Sequence, residues 1–406
     1  MYYDKQPPAK QQAYKDMLNA IGRLSRMFSE NRAPYLAYRA HENIFAKYFE
    51  IENNARHDDS ADAYDLEAHV GIGLKTWMGN DDQKVAEFGR QRPLYEHLDG
   101  LELIIEIAQF RIERIQTTKN AHGLNELIYH IVKRTPGQME IYESAFDEID
   151  IDHIELQSSR GTVNNIYFTD GRHTYHFSRS KNTLYMDFSH MQKLDSFEVV
   201  IDADPFDFLA TTQTAKCASE ATIVTPKPHD CLCLRLYTLE HGIKTVAAKS
   251  GLNQWNGARN TYSAPDADGK RTLLKSTPRH EDELYIPYPK VDRERKSFFP
   301  PRDVHFDLRL PNGRTIQAKV CQQDGKAIMS NPNQDLGHWL LRDVFELEPG
   351  ELVTYELLQR KNVDSVMFTK TGEGAYSIEF CELGTYEKFY GLADADADYD
   401  AMSSDD

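Results

Sequence analysis

Ser250-Gly251-Leu252-Asn253-Gln254-Trp255-Asn256, followed about fifty positions later by Phe298-Phe299-Pro300-Pro301-Arg302-Asp303, decides how the chain is read. An Asn-Gln-Trp-Asn run is poor material for a hydrophobic core. Its amides suit base edges, because Asn and Gln can each make the paired hydrogen bonds that single out adenine in the major groove. Arg259 and Arg302 can pair with guanine or with phosphate. Lys244, Lys249, Lys270, Arg271 and Lys275 flank the first stretch with positive charge. A structural reading competes: Asn253, Gln254 and Asn256 would cap turns, and Trp255 would plug a barrel.

Around these stretches the second half reads as mostly strand. Leu232–Tyr237, Glu283–Ile286, Val304–Leu310 and Thr315–Val320 alternate or carry β-formers, and Pro311-Asn312-Gly313 turns between the last two. Helices are expected at Leu336–Val344 and Tyr355–Arg360, then strands at Ser365–Thr369 and Tyr376–Phe380. In the first half, Met17, Leu18, Ile21, Leu24 and Phe28 fall at helical spacing, as do Leu36, Ile44, Phe45, Tyr48 and Phe49. A third helix is expected over Leu101–Thr117. Strands follow at Leu127–Arg134 and Gln138–Tyr142, and a hairpin over Asn165–Phe177 closes on Asp170-Gly171. Residues 178–215 stay ambiguous, with a strand at Val199–Asp202 that could join either half; Pro226 and Pro228 mark a change of character. The expected class is α+β. Residues 1–215 form a mixed α/β domain, 216–390 a mainly β domain, and 391–406 an acidic disordered tail.

The net charge of −17 argues at first against a nucleic-acid partner. Asp394, Asp396, Asp398, Asp400, Asp405 and Asp406 supply six of those charges, so the rest of the chain carries −11. Binding to DNA therefore requires local basic surfaces on a negative body. Cys217, Cys231, Cys233, Cys321 and Cys381 form no C-x-x-C pair and read as reduced thiols of a cytoplasmic protein. Neither a signal peptide nor a membrane-spanning segment is expected.

From about 225 to 382 the chain resembles the B3-like DNA-binding pseudobarrel found at the C-terminus of certain type II restriction endonucleases. The matching words are Ser250–Asn256, Glu283–Pro287, Phe298–Asp303, Lys326–Ile328, Asn331-Pro332-Asn333 before Leu336-Gly337, and Gly350–Thr354. The resemblance implies two arm-like loops that grip the major groove over a supporting barrel. Asn253, Gln254, Trp255, Asn256, Arg259, Arg302 and Lys249 are the expected DNA contacts.

Some relatives of that domain carry a phospholipase-D-type nuclease, which needs a His-x-Lys pair. None of the fifteen histidines has Lys two positions on, and that chemistry is excluded. Asp58-Asp59-Ser60-Ala61-Asp62 followed by Val70–Lys75 instead resembles the PD-(D/E)XK nuclease pattern. There an acid begins one strand, and an acid and a lysine lie on the next. The chemistry needs carboxylates to hold Mg²⁺ against the scissile phosphate and a lysine to orient the attacking water. On a strand, Gly71, Gly73 and Lys75 share one face, where two glycines would clear space for a phosphate or metal. Gly73 stands where the pattern places its second acid. Glu42 is the first choice to replace it, with Glu87 and Asp65 next; Asp62 and Glu42 would be the metal ligands, and Gln83 or Lys84 could touch the DNA backbone. His173 and His176 are weaker candidates for DNA contact.

The resemblance thus implies a Mg²⁺-dependent, site-specific endonuclease acting on double-stranded DNA. A companion DNA methyltransferase would act on the same site, and a homodimer is allowed. Two alternatives stay open: a nuclease that requires methylated DNA and flips the modified base into a pocket, and an inactive DNA-binding protein.

Overall fold

The computed structural model describes residues 1–53, 60–79, 81–206, 231–295 and 297–392. They form two compact units, the first holding nearly all of residues 1–206 and the second residues 231–392. The expected boundary at 215/216, Pro226, Pro228, Cys217, Asp58, Asp59 and the tail from 393 onward lie outside the described residues. The architecture is α+β, with a mixed first unit and a mainly β second unit.

The first unit is built on a six-stranded sheet, in the order Glu52–Asn53, Ala63–Asp65, Val70–Trp77, Glu126–Thr135, Gln138–Ala145, Lys193–Glu198. Val70–Trp77 runs antiparallel to Ala63–Asp65 and parallel to Glu126–Thr135. A parallel neighbour demands a long crossover, and the helix Gly100–His122 lies within it. Apolar groups cover both sides of the central strand. Val70, Ile72 and Leu74 join Leu18 of helix Pro8–Arg23 and Phe45 and Phe49 of helix Tyr38–Phe49 in one cluster. Leu127 and Tyr129 of the neighbouring strand join Leu103, Ile104, Ile107 and Phe110 of the crossover helix in another.

A second, five-stranded sheet has the order Gln83–Glu87, Thr183–Met186, Thr174–Ser178, Asn165–Thr169, Glu155–Leu156. The expected hairpin is present, with Gly171 at φ +82° in its turn. The ambiguous stretch after 178 supplies the strand Thr183–Met186, which pairs on both sides. No strand forms over Val199–Asp202. Val199 is still bonded through its N–H to Gly137 O, but Asp202 N donates to Arg23 O, so the backbone has left the sheet for the end of helix Pro8–Arg23.

In the second unit a seven-stranded sheet runs Cys231–Arg235, Ser365–Gly372, Ala375–Cys381, His305–Arg309, Thr315–Cys321, Ala327–Ser330, Ile286–Pro287. All neighbours are antiparallel except His305–Arg309 and Ala375–Cys381. The two outermost strands come into contact, which curls the sheet towards a barrel. Its interior holds Leu234, Leu284, Leu308, Ile328, Trp339, Phe368 and Ile378, all almost fully buried. Two short ribbons, Thr238–Glu240 with Ile243–Thr245 and Ala258–Tyr262 with Leu273–Pro278, stand apart from this sheet. Among the described residues no helix is long and apolar enough to cross a membrane.

Candidate active site and nucleic-acid interface

Asp62 stands where the hairpin ladder opens, one residue before Ala63, which pairs with Ile72. Its N–H donates to Ile72 O at 2.9 Å, and its Oδ2 accepts from Leu74 N at 2.6 Å. Bonding the carboxylate to the central strand fixes its direction. Lys75 follows on that strand, half-buried, and makes no ion pair or hydrogen bond among the described residues. Glu42 comes from the helix Tyr38–Phe49, is nearly buried, and accepts from Arg39 Nη1 at 3.1 Å. Burial pushes its carboxyl above the usual carboxylate range; Arg39 opposes that, the negative charge of Asp62 adds to it, and Lys75 lowers it. Asp62, Lys75 and Arg39 therefore each act electrostatically on Glu42.

A hydrogen-bond chain that sequence reasoning missed starts beside Glu42, at His41 of the same helix. Tyr14 Oη bonds His41 Nε2 at 2.8 Å and His130 Nε2 at 3.0 Å, and His130 Nδ1 meets Glu143 Oε1 at 3.1 Å. All four side chains are buried. The chain ties the helix carrying Glu42 to the neighbouring strand of the sheet. Its members are scattered over about 130 residues, so no local pattern announces them.

The glycines do not open the space expected of them. A Cβ at Gly71 would meet Leu127 Cδ2 at 2.3 Å, and one at Gly73 would meet the Tyr129 ring at 3.0 Å and Phe146 at 3.1 Å. Tyr129 and Phe146 stack with centroids 4.1 Å apart. Both glycines thus admit apolar neighbours, not a phosphate or a metal. Restoring the pattern's acid with Gly73→Asp is expected to destabilise the first unit by about 1–3 kcal/mol without adding activity, since overpacking displaces that stack. Chemical denaturation with a parallel nuclease assay checks this, and a stable variant with raised activity would contradict it.

Glu87 is not brought to the group. It lies exposed on the five-stranded sheet and pairs with Lys84 of its own strand, which is likewise exposed. Both belong to a different sheet from the hairpin, so their closeness in sequence to Lys75 misleads. Asp65 is occupied too: Oδ2 accepts from Tyr2 Oη and Oδ1 from Ala68 N. His176 stacks on Tyr185 and pairs with Asp82, and His173 faces Asp147 at 4.0 Å.

In the second unit the Asn-Gln-Trp-Asn run is mostly structural. Asn253 is fully buried, with Nδ2 donating to Val353 O at 2.8 Å and Ala247 O at 3.2 Å, and Oδ1 accepting from Val353 N at 2.9 Å. Its whole amide edge is occupied, and none remains for a base. Asn253→Ala is expected to cost about 2–4 kcal/mol, because it strands both polar groups of Val353 in the core. Denaturation followed by tryptophan fluorescence measures the loss; an unchanged midpoint would show that the Asn253 bonds to Val353 do not hold the barrel. Gln254 is also buried, and with its oxygen towards Arg279 it accepts from that guanidinium at 2.8–3.1 Å. Trp255 is half-buried and packs on the barrel core.

The exposed members of the expected contact set are Lys249, Asn256, Arg259 and Arg302. Asn256 Nδ2 donates to Ala248 O, and Arg302 pairs with Asp303 at 3.2 Å. Phe298 and Phe299 anchor the second stretch in an aromatic cluster with Phe306, Phe368 and Tyr376, which leaves Arg302 at the surface. Lys244 is withdrawn from the surface: its ammonium lies 3.2 Å from Glu387 and 3.5 Å from Asp364, over the Tyr237 ring.

The largest missed feature is the ribbon Ala258–Tyr262 with Leu273–Pro278, exposed along nearly its whole length. Arg259 and Thr261 share one face, Asn260 and Tyr262 the other, with Lys270, Arg271 and Lys275 in the turn and returning strand. A two-stranded ribbon of this kind fits the major groove. Its root is clamped: Glu283, buried, accepts from Arg259 at 2.6 Å and also pairs with Arg279, which in turn meets Gln254. With no apolar side to bury, the ribbon lacks the alternation that would have revealed it.

Residues 234–372, about a third of the chain, match the family described as NgoFVII C-terminal B3-like DNA-binding domain. No curated protein matches the chain. The second unit therefore carries a B3-like domain of the type found in the NgoFVII restriction enzymes, and DNA binding belongs to it.

Proposed function

We propose that the chain is a Mg²⁺-dependent, sequence-specific endonuclease of the type II restriction class, acting on double-stranded DNA. The first unit cuts and the B3-like unit chooses the site. What supports this reading is that Leu74 N, next to Lys75 on the central strand, fixes the Asp62 carboxylate, and that the charges of Asp62 and Lys75 both bear on Glu42.

The donor set fits the ion. Among the described residues no three His, Cys, Asp or Glu side chains are grouped to hold a metal. Mg²⁺, however, commonly uses one or two carboxylates and leaves its other positions to water and substrate phosphate. Asp62 and Glu42 would hold it, and when bound it would polarise the phosphate and help activate the attacking water. Asp62 is held in place by Leu74 N. Arg39 balances the charge of Glu42 in the resting site. The Lys75 ammonium, free of a carboxylate partner among the described residues, orients water in line with the P–O bond and balances charge as that bond breaks. A companion methyltransferase would protect host DNA at the same site.

The test is incubation of the purified chain with methylated and unmethylated phage and plasmid DNA, with Mg²⁺ or EDTA. Discrete bands only with Mg²⁺ establish the enzyme. Intact DNA in every lane, with a specific gel shift, replaces it with a DNA-binding protein.

A further inference from the structure

A cavity of about 340 Å³ opens in the second unit beside the Gly251–Asn256 turn. That volume is near the lower end of the roughly 300–1,000 Å³ typical of small-molecule sites. Leu252, Tyr285 and Tyr288 supply apolar and aromatic lining, and Lys290, Arg293 and Lys326 add cations. Lys326 is exposed and makes no ion pair among the described residues, whereas Lys290 pairs with Glu294 at 3.4 Å in solvent. Arg293 also lines the cavity and donates through Nη1 to Asp324 O.

We propose that this cavity binds a single nucleotide, its base against Tyr285, Tyr288 and Leu252 and its phosphate on Arg293, Lys290 and Lys326. A ligand with one planar apolar part and one anionic part is what such a lining recognises. The nucleotide has two possible sources: one turned out of the bound duplex, or one free in solution. The first source rests on the DNA-recognition reading, and the second does not.

Two measurements on the full chain test it. Calorimetric titration with the four deoxynucleoside monophosphates and 5-methyl-dCMP is expected to show binding that weakens about tenfold in Lys326→Glu, the loss of one charge-assisted phosphate contact. Permanganate and chloroacetaldehyde probing of the protein–duplex complex reports unpaired bases. A reactive base that disappears in Lys326→Glu assigns the nucleotide to the duplex. Monophosphate binding sensitive to Lys326→Glu without any reactive base assigns it to solution. Retained monophosphate binding in a chain that shifts no DNA would sink the endonuclease reading and leave the cavity assignment standing. Neither monophosphate binding up to about 10 mM nor a reactive base overturns the proposal, as does binding that Lys326→Glu leaves unmoved.

Discussion

Lys75→Ala is expected to lower DNA cleavage by at least about 10²–10³-fold while specific binding to DNA stays at the level of the parent chain. The size follows from removing one preorganised cation where charge develops in the transition state. The separation of effects follows from location. Lys75 lies on a strand of the first unit, whereas DNA binding belongs to residues 234–372. Stability should change little, because the side chain is half-exposed and has no ion-pair partner among the described residues. Asp62→Asn should lose cleavage comparably, but for a different reason: the amide can still accept from Leu74 N yet contributes no charge to a metal. A cleavage assay paired with a gel shift reads both. Cutting retained in Lys75→Ala would remove Lys75 from the chemistry and leave the first unit without a candidate site.

That Asp62 and Lys75 belong to neighbouring segments of one hairpin was legible because the hairpin is short and its two strands are adjacent in sequence. Glu42 was singled out only through the resemblance, which allows the second acid to come from a neighbouring helix; spacing could not show that this helix packs Phe45 and Phe49 with Ile72 and Leu74. The glycines were misread for a related reason. Alternation assigns residues to faces but does not say what fills each face, and here Leu127, Tyr129 and Phe146 do. Asn253 and Gln254 show the same limit in the second unit. An amide-rich turn looks like a reading head, but two of its amides hold Val353 and Arg279 in place. The residues that reach solvent are their neighbours. Fold class survives such errors because it depends on the period of apolar residues, which many positions share. A site depends on a few side chains whose partners lie far off in sequence.

Glu283→Ala is the change expected to affect recognition most. Glu283 is 2 % exposed and receives Arg259 from one ribbon strand and Arg279 from just beyond the other. Removing one partner of a buried ion pair costs about 3–5 kcal/mol. Here about 2–3 kcal/mol is expected, because the Arg259 side chain is 56 % exposed and keeps part of its hydration. The ribbon has few apolar contacts of its own, and two-stranded hairpins are marginal in water. Losing the clamp should therefore loosen the ribbon before it unfolds the barrel. Specific DNA binding should fall about tenfold to hundredfold, since an ordered ribbon no longer waits for the groove and its ordering must occur on binding. Non-specific binding, which depends on phosphate contacts, should fall far less. Hydrogen exchange over 258–278 alongside binding to specific and random duplexes distinguishes the outcomes. A loosened ribbon with undiminished specificity would show that the ribbon does not read DNA, and would move recognition to Arg302, Lys249 and Asn256. Loss of both binding modes together with global unfolding would instead make Glu283 a keystone of the barrel; Arg259→Ala, which leaves the Arg279 pair intact, would then carry the test of the ribbon.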